Sequence, residues 1–311
     1  MSQHATEETV ADLWAECPEE ARQAAERVVG SPANWQLMRR GSHGTAKWHV
    51  SGPGTQQVVV KAGTGQAADV VAREITALAY MQAAGITATG YGNDAQGLTG
   101  LTSDYTAWLV RPWLTGLTTW SAFQAVRDGH HPDVTDYKRA LTAAVDLCTA
   151  VGGLHQHGWV HGDLQPHHSV HMANTRTVQL LGCTWAWAPE LAPSPAYTGG
   201  LVHLLSPELA AAAESPTRPV ITSKSADVYA LAASLWWSAT GDWPLNYRAA
   251  AIDPTAHTAA GLRRMIAARR LKISTTSTWP QLTELLREVL TADAVQRPTA
   301  FQLAQSLRRL M

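Results

Sequence analysis

The spacing of apolar residues divides the chain into a helical start, a run of short strands and a long stretch dominated by helices. Residues 7–29 read as two helical pieces, Glu7 to Glu16 and then a second start with Pro18 in its first turn and Gly30 just past its end. Val10, Leu13, Trp14 and Cys17 share one face, so this segment is expected to dock, on its own chain's strands before a partner. From Trp35 to Lys61 the pattern becomes extended: Trp35 to Arg40, a glycine-bearing loop from Gly41 to Ala46, Lys47 to Val50, a Ser51–Gly54 turn, and Gln56 to Lys61. Ala67 to Ala84 returns to the helical period, and Tyr105 to Leu114 is a further strand. Trp120 to Val126 predicts a short helix and Tyr137 to Gln156 a long one, with Leu141, Val145, Cys148, Val151 and Leu154 at three- and four-residue steps. The long helix delivers the chain into a polar stretch, Leu154 to His168, which two short strands follow as far as Gly182.

Composition narrows the function classes. With 311 residues, 45% of them hydrophobic, and a net charge of −1, the chain can bury a full core and carries no electrostatic footprint for nucleic acid or an anionic membrane. Cys17, Cys148 and Cys183 are widely spaced, which fits a reducing, cytoplasmic setting. No basic segment followed by an apolar one opens the chain, and no apolar run reaches the roughly 20 residues of a membrane helix. Thirteen tryptophans against two phenylalanines are expected to serve mainly as packing residues, one or two of them facing a ligand.

The polar stretch concentrates the candidate chemistry. Asp163 offers a carboxylate on a loop held by Val160 and Leu164, the way a base is aimed at a substrate hydroxyl. Histidines at 155, 157, 161, 167, 168 and 171 could supply a zinc site, a rival reading of the same residues. Lysine occurs only five times, and one of them, Lys61, ends the third strand, with Glu74 on the helix that follows.

The order of these features resembles that of protein kinases. His161-Gly162-Asp163-Leu164 is similar to the catalytic loop His-Arg-Asp-Leu-x-x-x-Asn, and closer still to the His-Gly-Asp form of aminoglycoside phosphotransferases and some bacterial peptide-modifying kinases. The resemblance accounts for His161 and places His155 and His157 at a helix end, which disfavours zinc. Gly41 falls in register with the phosphate-covering loop, with Gly44 beside it, while His43 and Ala46 replace its other glycines. Lys61 and Glu74 take the places of the phosphate-holding lysine and its helix partner. Arg111 stands at the gatekeeper position, where it would crowd the adenine pocket or pair with Glu74, and Pro112-Trp113-Leu114 at the hinge. Gly182 to Glu208 looks like an activation segment ending in Ser206-Pro207-Glu208. Asp227 resembles the aspartate that opens a buried helix and braces the catalytic loop, and Arg297 the arginine that pairs with Glu208. The resemblance covers residues 34–311 and implies an α+β fold in two lobes. These are a small antiparallel-sheet lobe with one helix (34–115) and a larger helical lobe (116–311), after a helical extension (1–33).

Three positions depart from the pattern. His168 replaces the magnesium-binding asparagine, Gln165 the loop lysine, and Gly182 the aspartate of Asp-Phe-Gly. Magnesium prefers oxygen ligands, and neither glycine nor imidazole supplies one. Two alternatives follow. In the first, which the departures favour, the chain is a pseudokinase that binds a peptide or protein partner, with ATP an optional ligand. By resemblance its setting is a lanthipeptide-type peptide-modification complex containing a lyase or a kinase. In the second it is an active phosphotransferase moving the ATP γ-phosphate to Ser or Thr. Lys61 with Glu74 would hold ATP alongside Gly41, Gly44, Arg111 and Trp113. Asp163, in a loop with His161 and Gln165, would take the hydroxyl proton, and His168 would help hold Mg²⁺ or Mn²⁺.

Overall fold

The computed structural model describes residues 17–41, 43–86, 98–102, 104–129, 131–173, 175, 177–275 and 277–311; the helix expected over 7–16 lies outside them. The fold is α+β, and the chain divides into two compact units, residues 1–79 with 91–114, and residues 80–90 with 115–311.

In the first unit, α1 (Glu19–Val29) leads into β1 (Asn34–Arg40), β2 (Ala46–Ser51) and β3 (Val58–Thr64), then α2 (Gln66–Ala83), β4 (Leu98–Leu101) and β5 (Thr106–Pro112). The strands form one antiparallel sheet in the order β1-β2-β3-β5-β4. Alternation sends Trp48, Val50, Val58, Val60, Trp108 and Val110 to one face. Helix α1 covers that face with Ala21, Ala24, Ala25 and Val29, each at 0% exposure. Its alanines let the helix approach two indoles closely, and Glu19 and Glu20 complement its positive end. The described part of the helical extension therefore packs on its own chain's strands. Lys47, Lys61 and Arg111 alternate out of phase with these core residues and leave the opposite face of the sheet.

The second unit holds β6 (Gly116–Thr118), α3 (Thr119–Ala122), α4 (Gln124–Asp128), α5 (Val134–Gln156), β7 (Ser169–Met172) and β8 (Val178–Leu180). They are followed by α6 (Pro207–Glu214), α7 (Lys224–Thr240), α8 (Ala259–Ala267), α9 (Pro280–Thr291) and α10 (Ala300–Arg308). Strands β6, β7 and β8 make a small antiparallel sheet in that order. Helix α5 starts three residues before the apolar pattern does, because Asp133 and Asp136 form a reciprocal capping box on an exposed first turn. The helix expected over 120–126 is instead two short ones meeting at buried Phe123. Helix α7 is buried on nearly all sides, as an apolar helix at the centre of a helical unit must be. All three cysteines are free and buried, and burial pushes the Cys17 thiol up to about 12. No helix among the described residues is long and apolar enough to cross a membrane.

Candidate functional site

The first unit brings Lys61 and Glu74 together. Lys61 Nζ donates to Glu74 Oε2 at 2.5 Å, and both residues are buried. Burial alone would raise the Glu74 carboxyl, but the charges of Lys61, Arg111 and Lys47 outweigh it and hold the group well below the usual carboxylate range. Arg111 lies opposite Val59 on β3, so it shares a face with Lys61. It makes no hydrogen bond or ion pair with any described residue and acts on Glu74 through its charge. The Gly41 N–H donates to the Thr45 carbonyl at 2.6 Å and the Gly44 N–H to the Gly41 carbonyl at 3.1 Å, so the donors expected to cover phosphates are engaged within the glycine loop. Trp113 is 36% exposed, with its ring 4.3 Å from that of His49.

In the second unit the polar loop is anchored from beneath. Asp227, in the first turn of α7 and 2% exposed, accepts at Oδ2 from the His161 N–H (2.7 Å) and at Oδ1 from the Gly162 N–H (3.0 Å). His155 Nε2 lies 3.0 Å from the same Oδ2. Gly162 holds φ +80°, and a Cβ there would stand 2.9 Å from the Trp185 carbonyl oxygen, so the loop tolerates no larger residue without shifting. His161 is fully buried; the Asp163 N–H donates to its Nδ1 (3.2 Å), which leaves Nε2–H to donate to the Leu181 carbonyl (3.0 Å). Burial pulls its pKa below the usual histidine value, in keeping with a neutral ring whose two nitrogens are both engaged. His161, which the sequence places in the loop beside Asp163, thus holds that loop through both of its ring nitrogens.

Asp163 itself is largely enclosed by its own chain. Its side chain is 13% exposed, and Oδ1 accepts from Gln165 Nε2 (2.8 Å) and the Leu201 N–H (3.3 Å). It borders a cavity of about 10 Å³, room for one water molecule. His168 Nδ1 lies 2.9 Å from the Asp163 carbonyl oxygen and 3.5 Å from its Oδ2. The ring lies against Gly182, where φ is +73° and an added Cβ would come within 2.9 Å of His168 Cε1 and Nδ1. Two of the departures noted in the sequence are thus one packing event, with the imidazole filling the space that a side chain at 182 would need. Farther along, Arg297 of the turn before α10 grips Glu208 through both terminal nitrogens, one at 2.9 Å.

Five of the six histidines of residues 155–171 face separate partners. His155 faces Asp227, His161 the Leu181 carbonyl, His168 the Asp163 backbone, and His171 Nε2 lies 2.8 Å from Thr119 Oγ1, while His167 stacks on Trp120. Among the described residues no three His, Cys, Asp or Glu side chains gather closely enough to hold a metal ion.

Sequence reasoning missed an aromatic row in this unit. Trp120, from α3, lies 4.9 Å from Trp237, which lies 4.2 Å from Trp243, and Trp243 stacks on His203 at 4.3 Å. Arg127 lies over the Trp120 ring, its guanidinium carbon 3.7 Å from the ring centroid. All three indoles are half-buried and therefore present an edge to solvent. Trp120 stands more than a hundred residues before Trp237 and Trp243, and no pattern in the sequence links it to that pair. Compared with known proteins, the chain matches no family model and no curated sequence.

Proposed function

We propose that this chain is a two-lobed, protein-kinase-like binding protein, a pseudokinase that recognises a peptide or protein partner and does not transfer phosphate. The observation that carries the reading is the enclosure of Asp163. A catalytic base must reach a substrate hydroxyl, within about 3 Å or through one water, whereas this carboxylate accepts from Gln165 and Leu201. Phosphoryl transfer also depends on charge stabilisation by metal and cations. The packing of His168 on Gly182 leaves no space there for the carboxylate that such a site would use. The half-exposed row Trp120-Trp237-Trp243 supports partner binding, because large rigid aromatics contribute contact area at low entropic cost. A lanthipeptide-type modification complex, in which the partner is a lyase or a kinase, is the setting that the His-Gly-Asp-Leu-Gln-Pro loop suggests.

Transfer from labelled ATP, with Mg²⁺ or Mn²⁺, to Ser- and Thr-containing peptides and to the chain itself tests this reading. Wild type and Asp163→Asn are expected to give the same background. The variant should fold, since the asparagine oxygen can still accept from Gln165 and Leu201. Transfer that is present in wild type and lost in Asp163→Asn would establish an active phosphotransferase instead.

A further inference from the structure

We infer that Lys47 and Arg111 are anion-binding residues, and that the sheet face bearing them takes a phosphate dianion, free or as a monoester, rather than a purine. The inference goes beyond the proposal above and does not depend on it, because it stands on strand register within the first unit. Lys47 on β2 is directly opposite Lys61 on β3, and Arg111 on β5 is opposite Val59, two residues along β3 from Lys61. Alternation puts all three side chains on the same face, and Arg39 on β1, paired with Lys47, adds a fourth cation at the edge. Directly opposed side chains have Cβ atoms about 5 Å apart, a spacing at which like charges repel.

Among the described residues Glu74 is the carboxylate that acts on Lys47, and Lys61 is bonded to it. Lys47 and Arg111 are half-buried and have no hydrogen-bond or ion-pair partner among the described residues. Lys47, Lys61 and Arg111 against Glu74 leave two positive charges in excess on a partly desolvated surface. Such charges are unfavourable unless paired. The strain is visible at Lys47, where burial first, and then Lys61, Arg111 and Arg39, bring the ammonium down to about 8 against the opposing effect of Glu74. A dianion cancels the excess. A phosphate also fits the donors, since a guanidinium can bind it through two parallel N–H groups while lysines act as point charges. A neutral purine would cover the same cations without compensating them.

The test uses the full chain and inorganic phosphate, with O-phosphoserine, adenosine and sodium chloride at matched ionic strength as the other arms. Phosphate or phosphoserine is expected to raise the melting temperature, as any ligand of the native state does, while adenosine and chloride leave it unchanged. Tighter binding of phosphoserine would assign the natural ligand as a monoester, and equal binding as the free ion. Lys47→Met and Arg111→Met should each weaken binding by about tenfold or more, the loss of one charge-assisted contact, whereas Lys138→Met on α5 should not. Binding should also weaken as the pH rises above about 8, where Lys47, facing Lys61, Glu74, Arg111 and Arg39, sheds its proton. No shift with either phosphate arm, a shift with adenosine, or binding indifferent to both methionine variants would overturn the inference.

Discussion

Asp227→Ala is expected to lower the melting temperature of the second unit by roughly 10 °C, from a loss of about 4 kcal/mol. The carboxylate accepts from two backbone N–H groups and contacts His155, and it is almost wholly excluded from solvent. Alanine would leave the His161 and Gly162 N–H groups buried without acceptors, each costing about 1–3 kcal/mol. The cavity of about 10 Å³ that Asp227 lines with Gly162 has room for one water, too little to replace both carboxylate oxygens. Asp227→Asn should fare little better: an amide offers one oxygen to three donors and turns its own NH₂ toward the others. Calorimetric melts of the two variants beside wild type measure the effect. A drop smaller than about 2 °C, which corresponds to less than 1 kcal/mol in a unit of this size, would mean that the loop holds its shape without this brace.

The second large effect has the opposite sign. Lys47→Met is expected to stabilise the protein at neutral pH by up to roughly 3 kcal/mol, the equivalent of moving a lysine from its ordinary value of 10.5 down to about 8. The sign follows from proton binding. Because the folded-state value is depressed, the unfolded chain holds more protons between about pH 8 and 10.5, so wild-type stability rises with pH across that interval. Below about pH 8 both states are protonated and the full penalty is present; above about 10.5 both are neutral and it is gone. The advantage of Lys47→Met should therefore be greatest near neutrality and fade through this window. Melts at several pH values decide the matter: an equal gain at neutral and strongly alkaline pH would trace it to packing, and no gain at neutrality would mean that the ammonium is solvated. A residue that weakens the unliganded fold suits a binding role, because a ligand that pairs with it restores the loss.

Much of this architecture could be read from the chain, and the reason differs from element to element. Helix α5 announces itself through apolar residues at helical steps, β2 through alternation and β3 through a run of three valines after a turn. The bond between Lys61 and Glu74, the bracing by Asp227 and the grip of Arg297 on Glu208 were expected because motifs fixed each residue's neighbourhood. Strands β4 and β6, four and three residues long, escaped notice because so short a stretch has no period of its own and exists only through its pairing partner. Arg111 was expected near Glu74, whereas the placement of Lys47 opposite Lys61 was hidden for a related reason. A slip of one residue in register would send a side chain to the other face, and register is a property of two strands together. The enclosure of Asp163 was likewise out of reach, because Leu201 arrives from 38 residues away.

The row of indoles in the second unit gives that unit its own optical signature. Trp237 and Trp243 lie 4.2 Å apart with their planes inclined by 38°, and Trp120 and Trp237 lie 4.9 Å apart at 54°. Chromophores this close and inclined to one another share their excitations, which splits the aromatic circular dichroism into a couplet of opposite signs. The couplet vanishes once the rings separate, so its loss on heating times the unfolding of residues 115–311. Asp227→Ala should shift that event, whereas Lys47→Met acts on the other unit, and the indoles already present distinguish the two without any added label.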